Sequence, residues 1–290
     1  MNTGSSNWQA VRRNRFFLVG ALIGLVIGLV LMSINLYGLT QPIRKPGLGV
    51  TDQEQLRFVP SEVWSYEQSM AAIEKLDTSL PVNDLVGEAN AVVNQSLVHV
   101  EWLKVNPVEY RQLVPIWENY FVWAVGKFSG LPQFERYHFA NYKRSIRRGI
   151  GICGDASMIL SSILDNQGIE NRIVSFGGHV IVEYLDEDGN RYLVDPDFGV
   201  ELNGSLQHLV ETPSNFRGAY LEAGYAPREV DDLFEAYRTP FALYDDTYHF
   251  VTKRYIFEEV SYVLKWIFPL LLLIVCGAYL FLRNKALKHD

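Results

Sequence analysis

Two uncharged apolar runs, one near each end, constrain this chain more than any other feature. Residues 16–34 form an unbroken run of 19, and residues 266–282 a second run of 17. At about 1.5 Å of rise per residue, such lengths approach a bilayer's hydrocarbon core of roughly 30 Å. Lys265, at the edge of the second run, can snorkel to the headgroups beside Tyr262 and Trp266, residues that favour the interface. The sequence therefore predicts transmembrane helices over 16–36 and 262–282. A cleaved signal peptide is the competing interpretation of the first run. Against it, the run exceeds the usual apolar region of about 7–15 residues, and Ser33-Ile34-Asn35 is a poor cleavage site.

The intervening stretch of roughly 220 residues is long enough for one full core. Arg12, Arg13 and Arg15 precede the first run, and Arg283, Lys285 and Lys288 follow the second, so both ends read as cytoplasmic. Residues 39–261 carry 19 basic against 32 acidic residues, a net −13. The expected layout is a cytoplasmic N-terminus (1–15), the first span, a tether (37–60), one extracytoplasmic domain (61–261), the second span and a cytoplasmic tail (283–290). The lipid bilayer is then a partner. The acidity, with no basic-aromatic array, argues against nucleic acid as another.

Pro42, Pro46, Gly47, Gly49 and Pro60 leave the tether without a period. Apolar spacing of three and four predicts helices over 61–75, with Ser61 as cap, over 82–103 and over 107–127. A compact helix over 155–167, stopped by Gly168, precedes strands over 172–176, 180–185 and 191–194, the last two joined by a hairpin loop at 186–190. This is an α+β order, a helical lobe followed by an antiparallel sheet. Residues 205–236 show only broken helical patterns, and a final helix starts near Thr252.

The chemistry lies in Gly149-Ile150-Gly151-Ile152-Cys153-Gly154-Asp155. The glycines permit a tight turn that delivers Cys153 to a helix start, where unpaired amides favour thiolate over thiol. Lys143, Arg144, Arg147 and Arg148 lie just upstream and read as a solvated cationic face, the alternative being that one of them approaches the sulfur and favours the thiolate further. A thiolate that attacks a carbonyl needs a base that can also protonate the leaving group, which an imidazole does. His179 opens one strand of the hairpin and Asp195 ends the other, so antiparallel pairing makes them neighbours and gives the ring an orienting acceptor. Asp197 competes for that last role.

Gly151-Ile152-Cys153-Gly154-Asp155-Ala156, Gly168-Ile169, Arg172-Ile173-Val174, Gly178-His179-Val180 and Val194-Asp195-Pro196 resemble, in order and spacing, the core of the transglutaminase-like superfamily. The match covers residues 148–199. The resemblance implies a papain-like fold between the two membrane helices, with Cys153 as nucleophile, His179 as general acid and base, and Asp195 as orienting carboxylate. The family's acid stands directly before the proline, which favours Asp195 over Asp197. Where the family has an aromatic residue soon after its histidine, this chain has Val180 and Ile181. The oxyanion hole would combine the Cys153 amide with a side chain, for which Gln133, Asn141 and Trp123 are candidates.

The expectation is an enzyme that hydrolyses or transfers an acyl group at an amide or ester of a peptide or other substrate, without a cofactor. A catalytically silent scaffold of a cell-envelope assembly is the alternative. A zinc site from Cys153, His179 and Asp195 lacks a fourth ligand and any zinc-binding spacing motif, so no metal is expected. His99, His138, His208 and His249 have no comparable context. Gly20, Gly24 and Gly28, spaced by four, would let two copies of the first helix pack closely as a homodimer.

Overall fold

The computed structural model describes residues 4–49, 56–58 and 62–288. In chain order, α1 (Gly4–Gly38) leads to β1 (Leu56–Phe58), α2 (Tyr66–Glu74), α3 (Val82–Ser96) and β2 (Val98–Val100). Next come α4 (Tyr120–Phe128), α5 (Pro132–Glu135), α6 (Tyr142–Arg148), β3 (Ile150–Gly151) and α7 (Cys153–Gln167). Strands β4 (Asn171–Phe176), β5 (Val180–Leu185), β6 (Arg191–Asp195) and β7 (Val200–Leu202) follow. The chain closes with α8 (Leu206–Glu211), α9 (Arg217–Glu222), α10 (Pro227–Tyr237), β8 (Phe241–Tyr244), α11 (Thr247–Phe250) and α12 (Thr252–Ala286).

The architecture is α+β. Among the described residues the larger sheet is antiparallel throughout, in the order β7-β6-β5-β4-β8. Both of its faces are covered, which explains why β5 is apolar on both sides. Val182, Tyr184 and Val194 pack with Ala156, Ile159 and Leu160 of α7 and Val93 of α3, while Ile181 and Leu193 turn toward Leu209, Tyr220 and Leu233. Each such side chain, fully buried, contributes about 1.5–3 kcal/mol.

Three of the expected helices differ from those found. The first begins at Tyr66, because Ser65 and Gln68 form a reciprocal capping box; Ser61 lies outside the described residues. The second stops at Ser96, and Val98-His99-Val100 becomes a strand parallel to β3. The third is confined to α4, since residues 107–119 are spent in turns until Asn119 caps Phe121 and Val122. The tether also differs in its described part: Ile43 and Leu48 are buried in core clusters, so this stretch is packed onto the domain. Residues 50–55, 59 and 60 of it lie outside the described residues.

Residues Arg15–Gly38 and helix α12 are long and apolar enough to cross a membrane. They pack on each other. A methyl added at Gly24 would sit 2.6 Å from the Cys276 sulfur, and one at Gly28 would sit 3.1 Å from the Pro269 carbonyl oxygen. The glycine face expected to meet a second copy is thus largely taken by α12 of the same chain, leaving Gly20 with nothing within 4 Å.

Pro269 explains the polar groups at this junction. Having no N–H, it cannot serve the carbonyl of Lys265 one turn earlier. That orphaned oxygen accepts instead from Asn35 Nδ2 of α1 and from the Tyr120 hydroxyl of α4 at 2.8 Å. Two turns nearer the domain, buried Glu258 accepts from the Ala140 and Asn141 amides, the Tyr137 hydroxyl and Arg144. Helix α12 is therefore fastened to the domain by its own first turns.

Candidate active site

Cys153 is the first residue of α7, and local sequence dictates its presentation. Gly149, at φ 77°, ends α6 in the left-handed region. A Cβ at Gly151 would lie 2.7 Å from Leu97 and 2.9 Å from Asp155, so only glycine lets the chain pass there. Asp155, at the third position of α7, accepts the Ile152 amide at 3.1 Å and fixes the start of the helix.

His179 follows Gly177-Gly178 in the tight β4–β5 turn, closed by the Phe176 amide donating to the His179 carbonyl at 2.8 Å. Its Nε2 meets Asp195 Oδ2 at 2.7 Å. The other nitrogen, Nδ1, is then the one left for Cys153, whose sulfur stands within 4.8 Å of the ring. The sulfur, a His179 nitrogen and an Asp197 oxygen all lie within 4.8 Å of one another. Cys153 is 8% exposed, His179 2% and Asp195 0%. Burial alone would push the imidazole down, but Asp195 and Cys153 outweigh it, and His179 is pushed up to about 10.

Asp195 is held by more than the histidine. Its Oδ1 accepts the Asp197 and Phe198 amides at 3.1 and 3.3 Å. Tyr220 and Tyr237 bring their hydroxyls to Oδ2 at 2.9 and 3.2 Å and to each other at 2.6 Å. Two hydroxyl protons serve three oxygen–oxygen approaches, so one edge of that triangle is always without a hydrogen bond. Burial, then the neighbouring Asp195, raises both phenols well above their ordinary value, so they stay protonated and donate.

Asp197 faces the sulfur from another side, and its own partner is His99, with Nδ1 to Oδ1 at 2.7 Å. His138 is likewise paired, with Asp155 at 2.8 Å, and stacks on Trp102. Burial would raise Asp155, but His138, Arg148 and the Ile152 amide hold it below the usual carboxylate range. Thus two of the histidines that lacked context in the sequence stand beside the cysteine loop. His99 lies past the end of α3, in strand β2, where a helix over 82–103 does not put it. The β-branched flanks in Val98-His99-Val100 were the available signal, and strand pairing sets His99 opposite Gly151.

The remaining expectations divide. The cations upstream are not one solvated face: Arg148 is fully buried 3.8 Å from Asp155, Arg144 pairs with Glu258 and Glu259, and Arg147 with Glu118. The three oxyanion candidates lie on α4, α5 and α6. Asn141 caps α6, Trp123 packs edge-on against Phe128, and Gln133 is exposed on α5. Beside His179 a cleft of about 360 Å³ opens between Gly178 and Ala236, rimmed by Glu101, Glu229 and Asp232.

No protein-family model matches the chain, nor does any curated protein or solved structure.

Proposed function

We propose that this protein is a membrane-anchored thiol enzyme of the transglutaminase-like kind, with a papain-like domain outside the membrane and both termini in the cytoplasm. The observation that carries the proposal is the His179 imidazole, held by Asp195 at 2.7 Å and standing within 4.8 Å of a cysteine sulfur at a helix start. In the reaction, the Cys153 thiolate attacks an amide or ester carbonyl, with the unpaired amides of the first turn of α7 facing the developing oxyanion. His179 gives its proton to the leaving amine or alcohol as the acyl-thioester forms. Water then attacks the thioester, His179 takes the proton, and the thiolate is released.

Hydrolysis is favoured over crosslinking, since transfer to an amine must keep water from the acyl-enzyme. The carboxylates rimming the cleft favour neutral or cationic substrates. The experiment is acylation with p-nitrophenyl acetate. A stoichiometric burst of nitrophenolate with acetyl on Cys153, absent in His179→Ala, is expected. No adduct on Cys153, together with full biological activity of Cys153→Ala, would leave only the scaffold.

A further inference from the structure

We propose that Cys153, His179 and Asp197 also form a binding site for a thiophilic divalent cation, zinc above all, and that its occupancy silences the thiol. The silencing rests on the thiol-enzyme reading; the binding does not. The three residues offer a sulfur, an imidazole nitrogen and a carboxylate oxygen, a donor set that zinc takes. All three are buried, with donor atoms within 4.8 Å of one another. Bonds of about 2.0–2.3 Å in a tetrahedral site separate ligand atoms by roughly 3.3–3.7 Å, so side-chain shifts of about 1 Å complete the geometry.

The sequence pointed to Asp195 as the carboxylate of any such set, whereas the fold puts Asp195 behind the ring. That arrangement suits a metal better. A ligating imidazole almost always donates its other ring N–H to a carboxylate, a backbone carbonyl or water, and His179 has Asp195 there at 2.7 Å. Asp197 is oriented in turn by His99 at 2.7 Å. Thiolate and carboxylate together balance a dication, which is what a buried charge requires. Sulfur and ring share one exchangeable proton; forming the sulfur–metal and nitrogen–metal bonds expels it to solvent, with no change of oxidation state. Both lone pairs needed for attack and proton transfer are then occupied.

The test uses the full-length chain in detergent, with Cys276→Ser removing the other thiol and Co²⁺ as the spectroscopic probe. One equivalent of Co²⁺ is expected to give a thiolate-to-cobalt band that zinc abolishes. Cys153→Ala loses the band, and Asp197→Asn weakens binding by about tenfold or more while unfolding in chelator at the parent's temperature. His99→Gln, which leaves Asp197 in place, weakens it about 10–100-fold and decides the matter if Asp197→Asn does not fold. No band in the parent, or parental affinity in both variants, overturns the site. Zinc should also slow alkylation of Cys153 about tenfold, reversibly by chelator. Rapid alkylation unaffected by zinc overturns the silencing. An intact band with a sluggish thiol in chelator would keep the metal site and remove the enzyme reading.

Discussion

At the scale of single residues, Asp195 decides what the site can do. Two amides and two phenols fix its carboxylate, so it sets the plane of His179 and the nitrogen turned to sulfur. Asp195→Asn keeps the shape but offers an amide donor where the ring needs an acceptor. We expect acylation of Cys153 to fall about 10²–10⁴-fold with the fold intact, read as the burst rate. His179 titrates near 6.5 when unfolded and about 10 when folded. Its protonation therefore stabilises the fold fully below about pH 6.5, a contribution lost as pH rises through about 10. In chelator, the unfolding temperature should decline over that window more steeply in the parent than in His179→Gln; parallel curves would contradict the assignment. The pairing of His179 with Asp195 was legible because a hairpin has only one way to close. The tyrosines behind Asp195 were not: Tyr237 continues the three-four spacing of Val230, Leu233 and Phe234 in α10, but such spacing marks only a buried face and not the carboxylate that face meets, and Tyr220 lies in a helix of six residues.

At the scale of elements, helix α12 joins a membrane-length apolar segment to the domain through buried polar contacts. Glu258→Ala would leave two amides and a hydroxyl without their acceptor and Arg144 without one of its two carboxylates. Removing one partner of a buried pair typically costs about 3–5 kcal/mol, so a clear drop in unfolding temperature is expected. A second test concerns Pro269. If Asn35 exists to serve the Lys265 carbonyl, Asn35→Leu should destabilise the parent but hardly affect Pro269→Ala, where the substituted residue's own N–H restores the helical bond. A coupling of about 0.6–1.7 kcal/mol in a double-mutant cycle is the expected size. Periodicity located α7, β4, β5 and β6 to within two residues. It overran at residues 97–103 and 107–119, because apolar spacing persists in strands and turns that pack on the same core.

At the scale of the whole molecule, two helices of membrane length leave from and return to one α+β domain, packed together through Gly24 and Gly28. The proposed topology puts Arg12 and Lys288 on one side of the bilayer and Cys153 on the other. An impermeant thiol reagent applied to intact cells should therefore reach Cys153 but no cysteine introduced at Lys288. The central claim is that His179, oriented by Asp195, activates the Cys153 thiol. Its most direct test is the second-order rate of Cys153 alkylation by iodoacetamide at neutral pH, in chelator and in the Cys276→Ser background. The expected rate is about tenfold or more above that of a free model thiol, falling to the model value in His179→Ala. A parent rate no faster than the model thiol would contradict it.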